Sequence, residues 1–182
     1  VDGAGGNMLL GISIINADDL RIVKCHIHGP GTIGVGGFTG FPDDYATRVV
    51  IRGCKIEAGI AALWNNAPVT FLLANNVFRG GQFGLKHQGT YPLILAETIN
   101  NIFAPLDSYS CCLSAETVGF EDVRTLDSDG NCFFSGSGPI AAVGELSLDL
   151  PAWREYTGQD GHSIAIDPMI DSNLSPLRGS PC

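Results

Sequence analysis

A single lysine in a short apolar segment is the residue of this chain best suited to acid–base chemistry. If Phe83, Leu85 and His87 point inward, as alternate residues of a strand do, Lys86 points outward. An outward lysine can act as the base that takes a proton from a substrate, and Lys86 is therefore the candidate catalytic residue. The alternative is a solvated surface lysine with no chemical role.

Polar residues at neighbouring positions extend this lysine into a strip. Gln88 comes two residues later, Asn65 lies one repeat earlier, and Ser114 or Glu116 lies one repeat later. Amide and carboxylate groups in such a row can hydrogen-bond the hydroxyl groups of a sugar. Trp64 can stack on a sugar ring, although tryptophan also commonly fills a core. The predicted substrate-binding residues are Trp64, Asn65, Lys86, Gln88 and Glu116.

The candidate metal ligands each have a simpler explanation. His26 and His28 face outward on either side of Ile27, but Lys55 in the next repeat would repel a cation. Residues 127–131, with the sequence DSDGN, resemble a calcium loop but lack the bidentate glutamate of an EF-hand, and a plain turn explains them as well. We therefore predict no metal-ligating residue and no required cofactor, with Ca²⁺ as the one ion left open.

An internal repeat must position these residues. Its anchor is Asn76, which recurs as Asn101 and Asn131 and is replaced by Cys25 and Cys54 in two earlier copies. Such a repeat indicates one supersecondary unit that stacks on its neighbours. Asparagine suits a corner between two strands, because it tolerates left-handed backbone and its amide can bond the next asparagine in a ladder. Cysteine is small enough to fill the same inward space.

Apolar residues recur at fixed distances from each anchor. The position five residues before the anchor holds Leu20, Val49, Phe71, Ala96 and Leu126. The position three residues before it holds Ile22, Ile51, Leu73, Thr98 and Ser128. The position two residues after it holds Ile27, Ile56, Phe78, Phe103 and Phe133. Alternation with outward residues indicates strands buried on one face, and we predict about three short strands in each repeat.

The pattern changes near the C-terminus. Residues 147–158 predict a short helix, with Ser147 or Asp149 as its N-cap, Pro151 in its first turn and Gly158 at its end. We expect this helix to cap the repeats by packing apolar residues on the core.

Two of the six cysteines occupy equivalent repeat positions. Cys25 and Cys54 would lie about 4.8 Å apart, one strand spacing. That distance permits a disulfide, but neighbours in register rarely have the required dihedral angle, so two stacked thiols are favoured. The other four cysteines have no CxxC spacing and predict no zinc site.

Composition and charge exclude several classes of function. The chain has 182 residues, of which 45% are apolar and 16% charged, enough for one domain with a core. Its net charge of −9 argues against nucleic acid as a partner, and no apolar run approaches the roughly 18 residues of a membrane span. Lys and Arg are thinly spread, which argues against a strongly acidic polymer as a partner.

The chain begins without Met in a glycine-rich segment, and we expect N-terminal repeats to be missing.

The stacked anchors resemble those of the right-handed parallel β-helix, the fold of the pectate-lyase-like superfamily. Residues 153–164, with the sequence WREYTGQDGHSI, are similar to the C-terminal end of many secreted bacterial β-helix proteins. The resemblance implies an all-β fold, a right-handed parallel β-helix with a short C-terminal capping helix. It implies a single domain over residues 1–182, with about five rungs in 12–143 and a cap in 145–182.

The resemblance also implies two classes of function. The first is a secreted or cell-surface protein that binds or processes a polysaccharide along an outward strand face. If it is an enzyme, it is a polysaccharide lyase or a glycoside hydrolase; such lyases pair a basic residue with Ca²⁺ or another cation that neutralises a uronate carboxylate. The alternative is a non-catalytic structural or adhesive protein, whose rungs stack end to end with another copy into a rod.

Overall fold

The computed structural model describes residues 10–14, 19–29, 33–37, 47–88, 91–107, 111–115 and 123–182. This part of the chain is predominantly β-structure with one short helix, arranged as three sheets. Neighbouring strands are parallel throughout the three sheets, except for one antiparallel pair at the end of the first sheet. No helix in the described part is long and apolar enough to cross a membrane.

Each sheet is a row of strands taken from successive repeats. The first sheet contains, in spatial order, β1 (Leu10–Ile14), β4 (Ile33–Gly37), β7 (Ala61–Asn65), β10 (Phe83–His87), β13 (Cys111–Ala115), β17 (Ala141–Val143) and β18 (Leu146–Leu148). The second contains β14 (Val123–Thr125), β11 (Leu93–Ile99), β8 (Val69–Ala74), β5 (Thr47–Arg52) and β2 (Asp19–Val23), with β15 (Ser128–Asp129) also paired to β11. The third contains β16 (Cys132–Phe133), β12 (Ile102–Phe103), β9 (Val77–Gly80), β6 (Lys55–Ala58) and β3 (His26–Ile27).

The chain visits the three sheets in turn. Strands β5, β6 and β7 lie in the second, third and first sheets, and β8, β9 and β10 then pair with them one by one. We call each such set of three strands a rung. Adjacent rungs are therefore about 4.8 Å apart, one strand spacing. The predicted arrangement of three short strands in each repeat is confirmed.

The corner between the second and third sheets is formed by left-handed residues that directly precede the anchors. The φ angles of Lys24, Gly53, Asn75, Asn100 and Gly130 lie between 53° and 65°. Glycine and asparagine adopt this conformation more readily than other residues. The prediction that the anchor itself carries the left-handed backbone is therefore wrong by one residue. The first residue of each Asn-Asn pair makes the turn, and the second points inward.

The inward asparagines form a hydrogen-bonded column. Asn76 Oδ1 accepts from the backbone N–H of Cys54 at 2.9 Å, and Asn101 Oδ1 accepts from that of Asn76 at 3.1 Å. Asn131 Oδ1 accepts from the backbone N–H of Asn101 at 2.9 Å. The side-chain nitrogens of the three asparagines donate to the carbonyls of Ile51, Leu73 and Thr98 at 2.7, 2.9 and 2.6 Å. Each amide therefore satisfies one buried N–H and one buried carbonyl of the preceding rung, where the sheet ladder is interrupted.

Thiols continue the column in the first two rungs. Cys54 Sγ lies 3.4 Å from the backbone N of Cys25 and 3.4 Å from the carbonyl oxygen of Ile22. Burial raises the pKa of the Cys54 thiol, which keeps it protonated. Cys25 and Cys54 are free cysteines, which confirms the prediction of two stacked thiols, but of the two only Cys54 is fully buried and Cys25 is half-buried.

Apolar side chains stack inside the three sheets as the repeat predicts. The rings of Phe78 and Phe103 are 5.1 Å apart and those of Phe103 and Phe133 are 5.5 Å apart, both pairs stacked. One predicted row fails at the fourth rung, because β11 shifts register between Leu95 and Glu97. Leu95 takes the inward position predicted for Ala96. Leu126, which the repeat predicts to be inward in the next rung, is exposed.

The helix α1 (Leu150–Thr157) closes the C-terminal end of the core. Asp149 is its N-cap and accepts from the backbone N–H of Ala152 at 2.9 Å, and Gly158 ends it with a φ of 68°. Leu150 and Trp153 are buried against the core. The predicted helix and its capping residues are confirmed.

A buried carboxylate ends the asparagine column beneath this helix. Asp160 accepts hydrogen bonds from Ser128 Oγ at 2.9 Å, Asn131 Nδ2 at 3.0 Å, Trp153 Nε1 at 2.9 Å and Ser163 Oγ at 2.6 Å. Ser163 Oγ also accepts from the backbone N–H of Asn131 at 2.8 Å, which places it where the next anchor would lie. Asp160 therefore joins the helix and the tail to the last rung through four hydrogen bonds.

The C-terminal tail then returns across the outer face of the third sheet. A second apolar cluster joins Leu174 of the tail to Val77, Ile102 and other residues of that sheet. Lys55 Nζ donates to the carbonyl of Asn173 at 2.9 Å. A disulfide joins Cys132 of β16 to Cys182, 50 residues later.

We predict that Asn101→Ala lowers the free energy of unfolding by about 3 kcal/mol, because it leaves the N–H of Asn76 and the carbonyl of Leu73 buried without partners. The matched control is Asn100→Gly, which changes the adjacent, exposed asparagine to the residue found at the same corner in other rungs. We expect that control to stay within about 0.5 kcal/mol of the natural chain. Equal stabilities in urea denaturation would contradict the role of the column.

We predict that Cys182→Ser lowers the free energy of unfolding by up to about 4 kcal/mol, because the bridge closes a 50-residue loop in the unfolded chain. Cys25→Ser, which changes a free cysteine, is the control. Denaturation with and without a reductant measures the effect. A natural chain that is equally stable in both conditions would show that the bridge contributes nothing.

Candidate functional site

Two aromatic rings and a lysine meet on the outward face of the first sheet. Lys86 Nζ lies 5.0 Å from the centroid of the Trp64 ring and 4.4 Å from that of Phe83. In the strand register Lys86 pairs with Trp64 of the preceding rung. All three side chains are partly exposed. We call Trp64, Phe83 and Lys86 the aromatic–lysine cluster.

Phe83 lies on the outer face with this cluster because the alternation of inward and outward residues is interrupted at Gly84. A Cβ atom on Gly84 would come within 3.0 Å of the Phe103 side chain, so Gly84 faces the core and fits there only without a side chain. Leu85 and His87 are buried as expected, whereas Phe83 lies on the outer face with Lys86. The expectation that Phe83 points inward is therefore wrong.

The structure also separates Asn65 from the outward strip. Asn65 pairs with His87, not with Lys86, and is only 1% exposed. His87 Nε2 lies 2.8 Å from the carbonyl oxygen of Tyr91, which can only accept, so this nitrogen carries the proton and Nδ1 accepts from Asn65 Nδ2 at 3.0 Å. Asn65 thus holds a buried histidine beneath the cluster. Gln88 is exposed, with its backbone N–H bonded to the Asn65 carbonyl at 2.7 Å.

The next rung supplies a buried hydroxyl group beside the lysine. Ser114 pairs with Lys86 in the register, is 1% exposed, and its Oγ has no hydrogen-bond partner in the structure. The predicted site residue Glu116 lies outside the described residues. The described part of the predicted site therefore reduces to Trp64, Lys86 and Gln88 at the surface.

A concave site lies elsewhere, where the left-handed corner faces the C-terminal tail. It has a volume of about 550 Å³ and is lined on one side by Asn75 and Asn100 and on the other by Leu174 and Pro176. His162 also lines it. We call this cavity the corner groove. Sequence reasoning did not find it, because its two walls are far apart in the chain and only one of them belongs to the repeat.

His162 is oriented by a carboxylate. Its Nδ1 lies 2.7 Å from Asp129 Oδ2, and its backbone N–H donates to Asp129 Oδ1 at 2.7 Å. The hydrogen bond to the His162 side chain, followed by that to its backbone, lowers the pKa of the Asp129 carboxyl below its ordinary value. His162 therefore hydrogen-bonds within the cap while its side chain remains 89% exposed.

The other candidate ligands stay apart. His28 Nδ1 lies 3.1 Å from Glu57 Oε2 on the surface, and His26 has only a loose ring contact with His28. Within the described residues, no group of three His, Cys, Asp or Glu side chains is placed to hold a metal ion. Residues Ser128 and Asp129 of the supposed calcium loop are part of β15 and hydrogen-bond to Asp160 and His162.

Arginines do gather on the outward face of the second sheet, which the repeat alignment did not reveal. Arg21 and Arg48 both approach Asp19, at 3.4 and 3.9 Å, and Arg52 makes two hydrogen bonds to Glu97 at 2.9 and 3.0 Å. These acids neutralise much of the positive charge. The face is therefore a network of surface ion pairs and not an open anion-binding surface.

We predict that His87 makes folding stability fall as the pH drops below about 6.5. Burial lowers the pKa of His87, opposed by its bond to the Tyr91 carbonyl, so the unfolded chain takes up the proton first. The contribution of neutral His87 to folding stability is complete above the pKa that His87 has in the unfolded chain, and it is lost as the pH falls towards the pKa that His87 has in the folded chain. Urea denaturation across this range should show a shallower pH dependence for His87→Gln, whereas the exposed control His26→Gln should match the natural chain. Parallel curves for all three would contradict the prediction.

Comparisons with protein-family models, with curated proteins and with solved structures find no match for this chain. A function can therefore be inferred only from the geometry and chemistry of the chain's own residues.

Proposed function

We propose that this protein is a right-handed parallel β-helix of the pectate-lyase-like kind that binds a polysaccharide across the outward face of its first sheet. Three parallel sheets visited in turn by the chain support the fold. The observation that carries the function is the contact of Lys86 with the rings of Trp64 and Phe83.

The chemistry of the cluster suits a sugar. An aromatic ring offers apolar area to the C–H face of a pyranose, and a lysine offers N–H donors to its hydroxyl or carboxylate oxygens. Because Lys86 spans two rings on adjacent strands, the cluster is a broad platform and not a single anchor. Its side chains contact one another, which restricts their rotamers and reduces the conformational entropy lost on binding.

The charge of the protein limits which polysaccharides it can bind. The chain carries −9 overall, and the cluster contributes a single positive charge. A neutral or weakly acidic polysaccharide fits this balance better than a dense polyanion. Lys86 as a catalytic base remains a prediction that binding alone does not test.

A secreted or cell-surface location belongs to the same proposal. The disulfide between Cys132 and Cys182 supports it, since such bonds persist mainly in oxidising compartments.

Binding to a panel of neutral and weakly acidic soluble polysaccharides, measured by calorimetry, tests the proposal. For a polymer that binds, we expect Trp64→Leu to weaken affinity about tenfold and Lys86→Gln about threefold to tenfold. Lys24→Gln is the matched control, because it removes an exposed lysine on the corner away from the cluster. Circular dichroism checks that each variant folds.

Two results would overturn the proposal. One is a chain that binds no member of the panel, and the other is binding that the cluster variants leave unchanged. If the chain binds no polymer but its sedimentation shows concentration-dependent assembly, the structural, end-to-end stacking function replaces the proposed one.

A further inference from the structure

The corner groove carries polar groups that neither the fold nor the proposed function uses. Asn75 and Asn100 occupy the same left-handed position in adjacent rungs, so their side chains leave the corner about 4.8 Å apart. Both are exposed and line the groove. Their inward neighbours make the column, so these two amides are left to face outward.

Glycine at the two flanking positions leaves room around these amides. Gly53 and Gly130 hold the same corner in the rungs on either side. A Cβ atom on Gly130 would come within 2.5 Å of Asn100 Oδ1, so a side chain there would displace that amide. This row of corner residues therefore presents two side-chain amides, each with a donor and an acceptor, with a glycine on either side of the pair.

His162 adds an acceptor at one end of the groove. Asp129 is ionised at neutral pH, so His162 Nδ1 must donate to it. In the uncharged form of the imidazole, Nε2 carries a lone pair that can accept from a ligand hydroxyl group. Both oxygens of Asp129 already bond His162, which leaves the carboxylate as an orienting group.

Apolar side chains make up much of the remaining lining, and the cation that lines the groove, Lys55, has its Nζ bonded to the Asn173 carbonyl and Ser175 Oγ of the tail. Val77 and Ile102 form its floor on the outer face of the third sheet, and Pro176 lies on the opposite wall. The disulfide at Cys132 and the hydrogen bonds of Lys55 to the tail hold the two walls together. A ligand that fits must combine an apolar face with hydroxyl groups along its edge.

We propose that the corner groove is a second binding site, and that it takes a short neutral saccharide. Hydroxyl groups of the sugar bond the amides of Asn75 and Asn100 and the imidazole of His162, and its C–H face packs on the apolar floor. The negative net charge of the chain disfavours an anionic ligand here. The site is separate from the aromatic–lysine cluster and does not depend on it.

The test uses the full chain and short cello-, manno- and xylo-oligosaccharides as probes. We expect at least one of them to shift the NMR signals of the Asn75 and Asn100 side-chain amides and of the His162 imidazole. Asn100→Gly and Asn75→Gly keep the corner conformation, and each should weaken binding about fivefold, as for the loss of one neutral hydrogen bond. His162→Ala keeps the backbone bond to Asp129 and should weaken binding similarly.

Lys24→Gly is the matched control, because it makes the same change at a corner position that does not line the groove. The Trp64 indole signal reports the other surface, so failure of one proposal is distinguishable from failure of the other. No shift at Asn75, Asn100 and His162 with any probe would overturn the groove proposal, as would affinity that the asparagine variants leave unchanged. Tighter binding of a short unstructured peptide than of every oligosaccharide would also overturn it.

Discussion

The corner hydrogen bonds of the asparagine column are the constraint on which the rest of the structure depends. Each rung must leave the second sheet and enter the third, and at that point the N–H of the anchor and the carbonyl three residues before it are bonded by a side chain of the next rung, while their neighbours keep backbone partners. Asn76, Asn101 and Asn131 restore both partners with one side chain each. The requirement fixes one position in every rung, because each rung needs an inward amide at this corner or a group that can replace it.

The column also explains how the C-terminal end is closed. The last amide has no further rung beyond it, so its N–H is taken by Ser163 and its side-chain nitrogen by Asp160. A buried carboxylate is costly unless it is fully hydrogen-bonded, and four donors from the rung, the helix and the tail meet that condition. Core, helix and tail are thereby fixed to one another.

Features that repeat locally could be read from the sequence, and those set by distant partners could not. The anchors, the stacked phenylalanines and the capped helix follow from residue type and spacing. The bulge at Leu95 escaped, because counting from the anchor assumes strands of uniform length. The outward strip included Asn65 for a different reason, since Asn65 lies eleven residues after Cys54 and His87 lies eleven after Asn76, and the two residues pair. His162 and Asp129 meet because the tail folds back, and no periodic pattern encodes that path.

The interfaces between rungs differ in strength along the stack, because thiols replace amides in the rungs of Cys25 and Cys54. A thiol is a weaker donor and a weaker acceptor than an amide, so the contacts of Cys54 stabilise their rungs less than the asparagine hydrogen bonds do. In a stack whose rungs contact only their neighbours, local opening begins where the interfaces are weakest. We therefore expect the interface between the rungs of Cys25 and Cys54 to open more readily than the interfaces that carry amides, which include the rungs of Asn75 and Asn100.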